Sequence, residues 1–142
     1  MLALLDVNVL IALLDADHIH HVGARHWLGA HIAEGWASCA ITQNGCIRIL
    51  SQPGYPNALP PADVAVRLRE ATETPFHHFW SEGPSLLSPD LVQWEFILGS
   101  RQVTDAYLLA LAVHHEARLV TFDRAITRRA VPRASAEHLV VL

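Results

Sequence analysis

Lysine is absent from this chain of 142 residues; all ten basic side chains are arginine. That absence removes the phosphate loop that depends on a Lys, and Schiff-base catalysis, which needs a side-chain amine. Cysteine is scarce as well: Cys39 and Cys46 form no Cys-x-x-Cys pair, which disfavours a disulfide framework and a thiolate zinc site alike. Two thiols kept reduced in the cytosol are the expectation. No apolar run approaches the roughly 20 residues that a membrane span requires. The first residues carry no basic segment, and Asp6 and Asn8 interrupt them, so they do not read as a secretory signal. Charged residues make up only 17%, below the roughly 25% usual in soluble domains, whereas hydrophobic residues reach 51%. A large core, a dimer interface or a partner groove would have to cover that apolar surface. A net charge of −4 argues against duplex binding through overall charge but leaves room for a local basic patch.

The length allows one full α/β domain, residues 1–142, and is too short for two comfortable ones. Leu2 to Leu5 shows no alternation, as in a strand covered on both faces, and such strands belong to parallel sheets wrapped by helices. The run ends in Asp6, followed after one apolar residue by Asn8. Asp6 would therefore sit at the carboxyl end of the strand, where open α/β sheets place their ligand crevice. Two readings are open at this point: a cap on the next helix, or a ligand to a cation that offsets the cost of desolvating the acid.

Farther on, Val9 to Leu14 reads as a short helix, with Asp15 and Asp17 as solvated turn residues. His18 to Ala33 reads as a second helix with Ile19, Val22, His26, Trp27 and Ala30 near helical spacing. Its histidines, and the pairs His77-His78 and His114-His115, lack the spacing of a zinc protease and read as surface or packed side chains. Trp36 to Ala40 is compatible with a strand, and Thr42 caps a helix reaching about Leu50, on which Asn44 and Arg48 share a face. Pro61 opens a helix through Thr72, and Asp63 suits its N-terminus. Between Thr74 and Asp90 the pattern weakens; Ser85 to Leu87 is the candidate strand. Gln102 to Asp105 precedes an apolar run rich in helix formers, Ala106 to Val113, which places Asp105 at a helix start; Arg118 to Phe122 reads as a buried strand ending in Asp123, and His138 to Leu142 as a last strand.

In a parallel sheet Asp6 and Asp123 would point to one edge, the edge at which helices such as that of Asp105 begin. Three gathered acids repel one another and raise each other's pKa unless a divalent cation takes them as ligands. Oxygen donors without thiolates select a hard ion, Mg²⁺ or Mn²⁺, whose chemistry suits phosphodiester hydrolysis. Three separate helix caps are the competing account, and the coincidence of all three on one edge favours the shared site.

Asp6-x-Asn8, Thr104 to Ala112, and Arg118-Leu-Val-Thr-Phe-Asp123 resemble the PIN-domain ribonucleases, specifically the VapC toxins of prokaryotic toxin–antitoxin pairs. The match runs in order over nearly the whole chain. It implies a PIN-like three-layer α/β/α fold with a short parallel sheet and Mg²⁺- or Mn²⁺-dependent endoribonuclease activity. It further implies a cytoplasmic homodimer and inhibition by a small VapB-type antitoxin. Carried over by position, Asp6, Asp105 and Asp123 are the catalytic, metal-holding acids and Asn8 the polar residue that fixes them. Haloacid-dehalogenase-type phosphatases use Asp-x-Asp after the first strand and a downstream Lys, and response-regulator receivers also need a Lys; this chain has Asp-x-Asn and no Lys.

One departure bears on activity. The family usually adds a Glu on the third helix, and here that place falls in Thr42-Gln43-Asn44-Gly45. Thr42 and Asn44 are the candidate polar replacements, with Glu95 as an acid from elsewhere. One charge fewer predicts one tightly held ion, with any second arriving on the RNA phosphate. It also raises the alternative of a weakened PIN-like module that binds RNA or a protein without cutting. Arg48, Arg124 and Arg128 are the candidate RNA contacts, with Arg101, Arg129 and Arg133 near them in kind. A solvated face or an antitoxin carboxylate would use the same arginines. Trp27, Trp36, Trp80 and Trp94 read as packing groups first and as base-stacking groups second.

Overall fold

Every residue of β1 (Ala3–Leu5) is buried, yet its side chains divide between two cores. Ala3 and Leu5 join one core and Leu4 the other, because successive strand side chains point to opposite faces. The computed structural model describes all 142 residues. After β1 come α1 (Val7–Leu14), α2 (His21–His31), β2 (Trp36–Cys39), α3 (Ala40–Leu50), α4 (Pro61–Thr72) and β3 (His77–Trp80). The chain continues through α5 (Arg101–His114), β4 (Arg118–Thr121) and β5 (Leu139–Val141). All five strands are parallel, in the order β3-β2-β1-β4-β5. Leu10, Cys46 and Val64 pack with Leu5 on one face, and Leu108, Leu109 and Ala112 with Leu4 on the other. This is the three-layer α/β/α arrangement that the unbroken apolar strands imply.

The winding fixes where chemistry can occur. From β1 the chain builds outward to β2 and β3, then returns to add β4 and β5 on the other side. Such a reversal opens a crevice at the carboxyl ends of the two strands that flank it, here β1 and β4. Two glycines allow close approaches around this frame. Gly35, with φ +83°, turns the chain into β2, where a Cβ would lie 2.8 Å from Leu2 Cδ1. Gly45 lets α3 lie against α1, since a Cβ there would meet Val7 Cγ2 at 2.7 Å.

Several boundaries differ from the sequence reading, each for a local reason. α1 begins at Val7 rather than Val9 because Asp6 is its cap, the Asp6 carbonyl accepting from the Val9 and Leu10 N–H groups at 3.0 Å. α3 begins at Ala40, with Cys39 as cap; buried Thr42 accepts from the Cys39 N–H and donates to its carbonyl. Thr42 is therefore a brace inside the helix start. α2 is shorter than expected, and of the anticipated apolar face Ile19 is 88% exposed, with Val22, His26 and Ala30 exposed too. Ala24 is the only buried residue of α2. The third strand is His77–Trp80, whereas Ser85 to Leu87 lies in a turn with Leu87 82% exposed. Asp15 accepts hydrogen bonds from the Tyr55 hydroxyl and the Asp17 N–H, so it ties the end of α1 to the loop before α4. The histidines pack and hydrogen-bond: His20 stacks on Phe122, His31 on Trp27 and His115 on Trp80, while His77 Nε2 meets Ser38 Oγ at 2.8 Å.

Candidate functional site

A threonine at the end of β4 organises the crevice. Thr121 is fully buried and donates its hydroxyl proton to Asp6 Oδ2 at 2.6 Å. The Thr121 hydroxyl oxygen in turn accepts from Asn8 Nδ2 at 3.1 Å and from the Asp123 N–H at 3.0 Å. Asn8 completes the lacing through its carbonyl oxygen, which accepts from the Phe122 N–H at 3.1 Å. β1, the first turn of α1 and the exit from β4 are thus locked together by one hydroxyl and one carboxamide. Sequence reasoning singled out Asn8 but not Thr121. The available signal was a hydroxyl inside an otherwise apolar strand, since a buried polar group on a strand implies a partner.

The three acids are held differently. Asp6 is 6% exposed, and its second oxygen accepts from the Val7 N–H at 2.7 Å. Burial raises its pKa most, opposed by the Thr121 and Val7 donors, with the charge of Asp123 adding to the rise. Asp123 Oδ1 accepts from the Ala125 N–H at 2.7 Å and turns the chain out of β4. Asp105 has no donor from the protein acting on it. Burial first, then the charges of Asp6 and Asp123, push its carboxyl up to about 6. The sequence placed Asp105 at a helix start, where the dipole would favour its charged form. The structure corrects this: α5 begins at Arg101, so Asp105 lies in the second turn, beyond the reach of the dipole. Gln102 lets the helix start early, its Oε1 accepting from the Leu98 and Gly99 N–H groups.

The other candidates lie outside this network. Asn44 and Arg48 are exposed on α3, and Thr42 bonds only within the start of that helix. Glu95 is exposed in a 3-10 turn, Trp94–Phe96, and is not among the charges acting on Asp105. Arg124, Arg128, Arg129 and Arg133 are exposed in the segment after Asp123. None of them is paired: both ion pairs in the molecule involve Glu34, with the N-terminal amine and with Arg118.

Donor chemistry decides what this edge would accept. The acids supply oxygen donors alone, and no arginine is ion-paired with them. The charges of Asp6 and Asp123 acting on Asp105 are an imbalance that a hard divalent cation would relieve. The carboxylates do not close into a cage of three ligating groups. An open edge suits an ion of Mg²⁺ type, which keeps several positions for water and phosphate oxygens.

Comparison with known proteins identifies the family and the fold. The PIN domain family model matches residues 3–132. The chain is 52% identical over 142 residues to ribonuclease VapC44 of Mycobacterium tuberculosis, covering 100% of both chains. It is 40% identical over 144 residues to ribonuclease VapC38 of the same species, covering 99% of this chain and 100% of that relative. Among solved structures, VapBC2 from Rickettsia felis, bound to a DNA fragment from its promoter, aligns with a TM-score of 0.65 at 15% identity. That match covers 100% of this chain and 98% of the other. VapC20 of Mycobacterium tuberculosis, a Sarcin-Ricin loop cleaving toxin, gives 0.63 at 13% identity over 93% of this chain and 98% of its own. At such low identities the two structures show likeness of fold alone.

Proposed function

Since the chain belongs to the VapC family of PIN-domain ribonucleases, we propose that it is a divalent-metal-dependent endoribonuclease, the toxin of a toxin–antitoxin pair, with Asp6, Asp105 and Asp123 as its catalytic acids. The observation that supports this most directly is the coupling of half-buried Asp105 to Asp6 and Asp123 with no protein cation between them. Mg²⁺, or Mn²⁺ in its place, would supply the charge that polarises a phosphodiester oxygen and makes water a better nucleophile. Asp6, fixed by Thr121 and Val7, and Asp123, fixed by Ala125, present oriented carboxylates. Asp105, with no donor of its own, keeps the freedom to turn toward the ion or to hold a proton near neutral pH. Asn8 keeps the β4 exit in register with Asp6.

With no acid in Thr42-Gln43-Asn44-Gly45, where the family usually places one, the reading is of one tightly held ion. Exposed, unpaired Arg124 and Arg128 beside the acids would contact RNA phosphates, with Arg48 on α3 a more distant contributor. A VapB-type antitoxin would silence the enzyme, and its carboxylates would compete for the same guanidinium groups. A homodimer would cover apolar side chains that the single chain leaves open, such as Ile19 and Val22 on and before α2. No helix is long and apolar enough to cross a membrane, and the reading is of a cytoplasmic protein.

The test uses purified protein free of antitoxin and a broad panel of structured RNAs. Cleavage is expected with Mn²⁺ or Mg²⁺, abolished by EDTA and by Asp105→Asn. Binding without cutting of any RNA by the metal-loaded protein would overturn the enzymatic reading in favour of a binding module.

A further inference from the structure

Asp6 caps the first turn of α1 and Asp15 its last, so the helix carries the acid edge at one end and a second carboxylate roughly 13 Å along its axis. α3 likewise leaves β2 at Cys39 and ends at Leu50. Between these two helix ends and α4 lies a cavity of about 210 Å³. Its buried lining is apolar, Leu50 and Val64, with half-buried Leu14 and Leu59 beside them. Its polar lining carries both signs. Half-buried Asp15 accepts from the Tyr55 hydroxyl and the Asp17 N–H, while Asp17 and Arg67 are exposed at the mouth. The Tyr55 hydroxyl holds the Asp15 carboxyl below the usual carboxylate range, so it is charged at neutral pH. No ion pair joins Arg67 to either acid. Three charges therefore share one apolar-floored cavity without neutralising one another.

We infer that this cavity binds a free α-amino acid with an apolar side chain of leucine to phenylalanine size. Its ammonium group meets Asp15 and Asp17, its carboxylate meets Arg67, and its side chain lies on the apolar lining. A cavity of about 150 Å³ holds benzene, so the space takes such a side chain and leaves the charged end at the mouth. The two signs decide among ligand classes. A simple amine leaves Arg67 unanswered, a simple carboxylate leaves both acids unanswered, and a neutral apolar molecule answers none of the three. A zwitterion answers all of them, and a few convergent polar groups over an apolar floor are the usual build of a small-molecule site. An internal peptide residue has neither a free ammonium nor a free carboxylate, which excludes a peptide threaded through the cavity. The site lies at the far end of α1 from Asp6 and is independent of the ribonuclease reading.

Calorimetric titration and thermal melts of the whole chain use L-leucine and L-phenylalanine as probes. A saturable heat is expected for at least one of them, with a melting temperature that rises with its concentration. The amide of the same amino acid lacks the carboxylate, and its N-acetyl derivative lacks the ammonium. Each should bind about 10- to 100-fold more weakly, as loss of one charge-assisted contact implies. Arg67→Gln should weaken the amino acid by a similar factor without weakening the amide, and Arg67→Lys should restore part of the affinity. Because Arg67 is exposed and unpaired, both variants should fold as the parent does. Asp17→Asn is the converse: it should weaken the amino acid without weakening the N-acetyl derivative. Absence of saturable binding by either amino acid up to about 10 mM would overturn the proposal. Equal affinity for the amino acid and its amide would overturn it too, as would an Arg67→Gln protein that binds the amino acid as tightly as the parent.

Discussion

The Thr121 hydroxyl lies 2.6 Å from Asp6 Oδ2, joining two strand ends that are 115 residues apart in the chain. Thr121→Val removes the hydroxyl at nearly constant shape and leaves Asp6, Asn8 and the Asp123 N–H short of a partner. A stability loss of about 1–3 kcal/mol is expected in urea unfolding. Asp6 should also titrate still higher, because a donor that lowers its pKa is gone. Cleavage should fall about 10- to 100-fold through weaker metal binding. Thr121→Ser should restore most of it. A Thr121→Val protein with an unaltered Mg²⁺ requirement would refute the positioning role.

Asp105 has a calculable effect on metal-free stability. Its folded pKa of about 6 exceeds the ordinary 3.8, so between those values the folded chain keeps a proton that the unfolded chain has released. Stability from this group therefore falls as pH rises from about 4 to 6 and stays low above that. Asp105→Asn cannot titrate. In EDTA its stability relative to the parent should climb across that window and level off, by about 1–2 kcal/mol once solvent screening is allowed for. A difference that is flat from pH 4 to 7 would contradict the coupling.

Metal uptake should carry a proton signature. At pH 6 about half of Asp105 is protonated, and a carboxylate must lose its proton to ligate. Calorimetric titration with Mn²⁺ in two buffers of different ionisation enthalpy should show protons released near pH 6 and nearly none at pH 8. Asp105→Asn should abolish the difference between buffers.

The packing of α3 on α1 gives a test away from the acids. A Cβ on Gly45 would sit 2.7 Å from Val7 Cγ2, and Val7 directly follows Asp6. Val7 is β-branched and cannot rotate freely within a helix. Gly45→Ala should therefore cost about 1–3 kcal/mol by overpacking. Combining it with Val7→Ala should cost less than the sum of the two single changes. Strict additivity in chemical denaturation would show that the contact is not the cause.

How far the sequence revealed this arrangement depended on burial. Asp6 and Asp123 are legible because each closes an apolar stretch around a strand whose residues are almost all buried, which leaves little choice of structure. Asp105 is legible as an acid, but its depth in α5 is not, because the helix start relies on Gln102 reaching back to Leu98 and Gly99 rather than on a cap before the acid. β3 escapes notice because an edge strand needs little apolar character: His78 and Phe79 face solvent, and His77 is satisfied by Ser38. Ser85 to Leu87 misleads for the converse reason, since Leu87 is a leucine with nothing to cover it. Ile19, just before α2, and Val22, on it, mislead likewise. Thr121 looks like an ordinary strand residue until the sheet order sets it beside Asp6.

The pairing of β1 with β4 also sets when danger begins. A ribosome adding roughly 5–20 residues per second needs about 6–23 s to travel from Asp6 to its partner Thr121. For nearly all of its synthesis the nascent chain carries its first acid without the wall that aims it, and on the proposed site an interrupted translation product ending before β4 would have no cutting edge. A host that makes such a protein is spared by sheet order alone until the final stretch emerges, which is the interval in which an inhibitor must already be waiting.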